Sequence, residues 1–168
     1  MDNWMGRYRP IIAALVQHSN LVSRHMSGKM PLGDGIEVTH QEWQVLEYII
    51  EHENNDDRMI YISERLGIPQ SSFSKMVKTL CSYGLCERYQ MIGNKKNIIL
   101  KPTEKGKDIY RVCSTGIKDG GFQSFFDALS GLDDAQIEQF ALALNGLNKT
   151  LEAGLEKPNE TTLIKLEK

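Results

Sequence analysis

The sequence predicts a mainly α-helical protein with one two-stranded β-hairpin, and three observations carry that expectation. Apolar residues recur at three- and four-residue spacing through most of the chain. Two short β-branched runs, about 85–92 and 97–101, flank the polar segment Gly93-Asn94-Lys95-Lys96-Asn97. Charge is unevenly spread: residues 58–107 hold ten basic side chains against Glu64, Glu87 and Glu104, although the whole chain of 168 residues carries a net charge of −2.

The elements follow in order. Residues 4–27 read as a helix whose stripe is Tyr8, Ile11, Ile12, Leu15, Val16, Leu21, Val22 and Met26, with Pro10 suited to a first turn. Gly28, Pro31, Gly33 and Gly35 make 28–38 a loop. Thr39-His40-Gln41-Glu42 fits a capping box, and Trp43, Leu46, Ile49 and Ile50 form the buried stripe of the second helix. After Asn54-Asn55-Asp56-Asp57, a third helix spans roughly 58–66, capped by Asp56 or Asp57 and ended by Gly67. A fourth helix starts at Pro69 and ends at Gly84, with Phe73, Met76, Val77, Leu80 and Cys81 on one face. Pro102 closes the second strand, and Thr103 caps a fifth helix running to about 128 with a break near 116–121, where three glycines fall. Asp133 caps a sixth helix to Leu151, with Ile137, Phe140, Ala141, Leu144, Leu147 and Leu151 as its seam. The tail 156–168 is polar.

A short helix, a turn, an amphipathic helix and a basic hairpin, in that order, are a winged helix-turn-helix, an arrangement that reads DNA. Its second helix needs one face for its own domain and one for the major groove. Phe73, Val77 and Leu80 supply the first; Gln70, Ser71, Ser72 and Ser74 supply short donors and acceptors for phosphates or base edges. Lys75 and Lys78 can neutralise phosphates, with Arg88 and Lys101 on the strands in support. Asn94, Lys95 and Lys96 put a cationic tip at the minor groove. The domains expected are 39–107 for DNA binding, 1–38 and 108–155 as a helical region, and 156–168 as a tail.

Other functions are disfavoured. No apolar run spans a bilayer and MDNWMGRYRP does not read as a signal peptide, so a cytoplasmic protein without a membrane partner is expected. No nucleophile–base pair, phosphate loop or metal-ligand cluster is apparent, so neither an enzyme, a cofactor nor a metal site is expected; His18 and His25, seven apart, do not make a zinc motif. Cys81, Cys86 and Cys113 form no disulfide framework and read as reduced thiols. A competing reading is a winged-helix protein–protein adaptor without specific DNA binding, motivated by the net charge and the lysine wing.

In Ile62-Ser63-Glu64-Arg65-Leu66-Gly67, Ser71-Ser72-Phe73-Ser74-Lys75 with Leu80 and Gly84-Leu85, Thr103-Glu104-Lys105-Gly106, and the closing helix after LSGLDDAQ, the chain resembles the MarR family of bacterial regulators over nearly its whole length. The resemblance implies a homodimer built by the first, fifth and sixth helices, a near-palindromic operator with half-sites about 10 bp apart, and a repressor released by a small phenolic or other amphipathic effector or by an oxidant. It makes His25 and Trp43 the effector-binding candidates. The apolar seams at 8–26 and 137–151 agree with the dimer, since both need burial. The family wing usually carries Asp-Arg-Arg where Asn94-Lys95-Lys96 stands here; lysine lacks the planar fork of arginine, which implies weaker minor-groove reading.

Overall fold

The computed structural model describes residues 4–25, 28–91, 94–118 and 122–155, with the backbone alone at 25, 91, 94–96 and 153–155. The chain divides into two compact units, Met1–Gly116 and Ile117–Lys168. The first holds α1 (Arg9–His25), β1 (Lys29–Gly33), β2 (Ile36–Thr39), α2 (His40–Glu51), α3 (Met59–Arg65), α4 (Gln70–Ser82), β3 (Cys86–Met91) and β4 (Asn94–Pro102). It also holds nearly all of α5 (Glu104–Ile117); the second unit contains α6 (Gln123–Leu129) and α7 (Asp134–Leu155). Among the described residues, no helix is long and apolar enough to cross a membrane.

The segment expected as a loop at 28–38 is a β-hairpin. Asp34 and Gly35 both take positive φ, 51° and 71°, and together form the two-residue turn. Asp-Gly favours that conformation because its twist matches the strands. The second strand then alternates: Ile36 and Val38 are buried while Glu37 is exposed. Glycine and proline content marked the turn but hid this alternation.

α2 begins at the expected capping box. The Thr39 hydroxyl accepts from the Glu42 amide at 3.1 Å, and the Glu42 carboxylate accepts from the Thr39 amide at 2.8 Å. From there Trp43, Val45, Leu46, Tyr48 and Ile49 enter the core. α3 starts without a side-chain cap, so neither Asp56 nor Asp57 caps it: Asp57 accepts from the Tyr48 hydroxyl at 2.9 Å, and Asp56 pairs with Lys101.

The helix-turn-helix is set by two glycines. Gly67 and Gly84 hold φ of +63° and +70°. After each, the chain folds back onto its helix, with Ile68 N–H donating to Ser63 O and Leu85 N–H to Leu80 O. This is the left-handed helix ending that glycine adopts without a Cβ penalty. Phe73, Val77 and Leu80 of α4 are almost fully buried and meet Ile62, Ile68, Leu85, Ile99 and Leu100 in one core formed by α2, α3, α4 and the wing sheet. β3 and β4 pair antiparallel, and Arg58 adds an isolated bridge to Ile99. Thr103 closes the module: its hydroxyl donates to Gly84 O at 2.6 Å and accepts from Gly106 N–H at 3.0 Å. A Cβ on Gly106 would lie 2.2 Å from the Leu85 carbonyl oxygen, so only glycine permits this approach.

α5 is assigned to Ile117 and α6 from Gln123, with Lys118 and Phe122 in π-helical conformation; 119–121, within the stretch expected to kink or break, lie outside the described residues. α7 starts behind a second reciprocal cap: Gln136 N–H donates to Asp133 Oδ1 at 2.8 Å, and Asp133 N–H donates to Gln136 Oε1 at 3.0 Å. The tail 156–168 lies outside the described residues.

Candidate nucleic-acid interface

α4 divides its residues as docking requires. Phe73, Val77 and Leu80 are spent on the core. Gln70, Ser71, Ser74, Lys75 and Lys78 are exposed and Ser72 is half-buried. Pro69 occupies the N-cap position and no side chain bonds the first amides. The Pro69 carbonyl takes the N–H groups of Ser72 and Phe73, each at 2.9 Å. The amides of Gln70 and Ser71 precede the helical ladder, and with the helix dipole they present partial positive charge to an anion. Among the described residues, Lys75, Lys78 and Arg88 make no salt bridge.

The wing presents a second cationic element. From Glu87 to Gln90 the strand is exposed on both faces, because it projects past the core that buries Cys86. Arg88 lies here as expected. Tyr89 does too, half exposed, donating to the Glu87 carboxylate at 2.5 Å; strand alternation alone did not single it out. Asn94, Lys95 and Lys96 lie in β4 and not in a turn, since that strand begins at Asn94 opposite Met91. Gly93 and the side chains of 94–96 lie outside the description.

Three of the ten basic residues serve the fold instead. Lys101, expected to face phosphate, pairs with Asp56 at 2.9 Å and donates to the carbonyls of Glu53 and Asn55 at 2.7 and 3.2 Å, pinning the loop between α2 and α3. Lys107 pairs with Glu53 at 2.6 Å and Lys105 donates to Tyr83 O at 2.9 Å. Arg58 lies over the Tyr61 ring, 4.3 Å from its centroid.

Of the two effector candidates, only the Trp43 side chain is among the described ones. Trp43 is a core residue, 6% exposed, stacked on Tyr110 of α5 with ring centroids 5.6 Å apart. The Tyr110 hydroxyl donates to Glu51 at 3.2 Å. Burial, then the carboxylates of Glu47 and Glu51, push the Tyr110 phenol up to about 12. Glu47 is raised in turn, chiefly by its own burial and then by Glu51. His25 ends α1, and its side chain lies outside the description. A separate polar cleft of about 710 Å³ opens near the end of α2, with Tyr48, His52, Asp57 and Glu64 among its walls; Trp43 does not line it.

This geometry finds its counterpart among known proteins. Residues 36–90, from the second hairpin strand into the wing, match the MarR family. No curated protein matches the chain. Solved structures do. The transcriptional regulator SlyA is 24% identical, with 90% of this chain and 96% of that one covered at a TM-score of 0.54. A MarR family regulator from Neisseria meningitidis is 15% identical, with 92% and 97% covered and a TM-score of 0.59. Streptococcus pneumoniae FabT, solved in complex with DNA, is 18% identical, with 87% and 98% covered and a TM-score of 0.57. Identities this low establish a shared fold: mainly α, a winged helix-turn-helix with a β-hairpin wing and flanking helices.

Proposed function

We propose that this protein is a sequence-specific, double-stranded DNA-binding transcriptional regulator. It acts as a cytoplasmic homodimeric repressor that a small amphipathic or phenolic effector releases. The observation that carries the reading is α4, whose exposed half joins uncapped amides, serine hydroxyls and the unpaired cations Lys75 and Lys78 on one docked helix. The MarR-family match over 36–90 and the fold shared with FabT, itself solved on DNA, support it. In this reading Gln70, Ser71, Ser72 and Ser74 contact base edges or phosphates in the major groove. Lys75, Lys78 and Arg88 neutralise phosphates, and Asn94, Lys95 and Lys96 address the minor groove.

Residues 39–107 form the DNA-binding domain, and 1–38 with 108–155 form the dimerisation region. Exposed apolar side chains support that division: Ile11, Val16 and Leu21 on α1, and Ile137, Phe140, Leu147 and Leu151 on α7. The operator is near-palindromic, as two-fold symmetry requires. The effector acts at Trp43 and His25, where a phenol competes with Tyr110 for the indole face.

Fluorescence anisotropy with the protein's own upstream DNA at several salt concentrations tests the reading. Affinity should fall steeply as salt rises. In a Lys75→Ala/Lys78→Ala variant the log–log salt slope should shrink by about 4, because the dimer loses two lysines from each protomer and each releases roughly one counterion. Binding no tighter than to random DNA, with a slope that the variant leaves alone, would sink it.

A further inference from the structure

Cys81 and Cys86 were read from sequence as separate thiols, one on a helix and one on a strand. The fold places their sulfurs 3.5 Å apart. The cause is the glycine ending of α4: Gly84 N–H donates to Cys81 O and Leu85 N–H to Leu80 O, turning β3 back alongside the helix it follows. Cys86 is 1% exposed, while Cys81 is partly open to solvent. Burial, and then the adjoining Cys81, push the Cys86 thiol up, so it stays protonated. Cys81 is therefore the sulfur that an oxidant in solution meets, with Cys86 waiting behind it. Among the described residues no group of three or more His, Cys, Asp or Glu could hold a metal.

We propose that Cys81 and Cys86 are a dithiol redox site, closed to an intramolecular disulfide by a hydroperoxide, and that closure changes the grip of α4 and the wing on DNA. The second half rests on the regulator reading. In the first step the Cys81 sulfur attacks the peroxide O–O bond; a Cys81 sulfenic acid forms and one water (or alcohol) leaves. In the second, the Cys86 sulfur attacks the Cys81 sulfur, the S–O bond breaks, and the Cys86 proton leaves with the hydroxyl as water. Two thiols are oxidised, one peroxide is reduced, and a thiol reductant reverses the product.

A disulfide needs its sulfurs about 2.05 Å apart, so they must approach by roughly 1.5 Å from contact distance. Leu80 and Leu85, the neighbours of the two cysteines, are fully buried in a close-packed core. The movement therefore falls on the last turn of α4 and the base of β3, elements that also carry Lys78 and Arg88.

The test uses the full chain carrying Cys113→Ser, reduced and then treated with hydrogen peroxide. The expected result is a peptide spanning both cysteines that is lighter by two hydrogens and loses both alkylation sites until dithiothreitol restores them. Affinity for upstream DNA should fall at least about fivefold on oxidation and recover on reduction. With Cys81→Ala, the more exposed position, Cys86 should stay unmodified under the same peroxide. Two alkylatable thiols after treatment, or higher oxidation of Cys81 alone, would overturn the disulfide. A disulfide with unchanged affinity would overturn the coupling. If the reduced protein binds no DNA, the regulator reading and the coupling fail together, and the peptide mass still decides the disulfide.

Discussion

The winged module and the terminal helices use similar apolar content to opposite ends. Between Ile36 and Leu100, fifteen of the described large apolar side chains, from Ile36 and Val38 through Phe73 to Leu100, are buried within a single chain, and Cys86 joins them. On α1, α6 and α7 many apolar residues stay exposed: Ile11, Val16 and Leu21, then Phe125 and Phe126, then Ile137, Phe140, Leu142, Leu147 and Leu151. Helical spacing is the same in both regions. What differs is the presence of a sheet, a capped α2 and two glycine turns that supply the module with facing surfaces. The first region completes its own core; the second leaves apolar side chains exposed, and under the homodimer reading these are the faces that a second copy covers.

The largest expected effect falls on the first region. Phe73→Ala empties the centre of the core and should cost about 3–5 kcal/mol of stability, read by urea denaturation. That loss should not depend on protein concentration. An unfolding midpoint that moves with dilution would show that the module leans on its partner and would break the contrast.

The matching variant in the second region should behave the other way. Phe140→Asp with Leu147→Asp places two carboxylates on the exposed α7 seam. Under the homodimer reading the dissociation constant should rise about a hundredfold or more, since an unpaired charge buried at an interface costs several kcal/mol. Analytical ultracentrifugation reads it. Unchanged sedimentation would remove α7 from the interface.

Legibility in the sequence follows the same divide. Elements specified by local chemistry were readable: the Thr39–Glu42 box, the helix ends at Gly67 and Gly84, and the caps at Thr103 and Asp133 are each fixed within a few residues. Features made by non-local packing were not. Nothing near Lys101 in sequence announces Asp56, and nothing near Trp43 announces Tyr110. The β1–β2 hairpin was hidden for a different reason: its one buried face is carried by only Ile36 and Val38, too short a run to separate from a loop. For the interface, the sequence assigned the exposed face of α4 from its spacing against Phe73, Val77 and Leu80, but it offered no signal that Cys81 and Cys86 touch, since that depends on the turn between them.

A smaller effect tests whether local signals also carry energy. Thr39→Ala removes the hydroxyl that accepts from Glu42 N–H, while the buried Glu42 carboxylate keeps its bond from the Thr39 amide. The expected cost is about 1 kcal/mol. Thr39→Ser should restore most of it, and equal loss in both variants would mean that the methyl group, not the hydroxyl, matters at the start of α2.

The smallest expected effect concerns the stack joining α2 to α5. Tyr110 is raised from an ordinary 10.0 to about 12 by burial and by Glu47 and Glu51. A folded value above the unfolded one means the native state holds this proton more tightly. Its contribution is therefore complete below pH 10 and is lost as pH rises from 10 through 12. Much of the group is open to solvent, so the slope should be shallow. Tyr110→Phe keeps the ring on Trp43 and deletes the titration. Thermal midpoints of the two proteins should therefore converge or cross as pH climbs through that window, the native protein falling faster. Parallel curves would show that the phenol titrates alike in the folded and unfolded chains, and that only the ring holds α5 to the module.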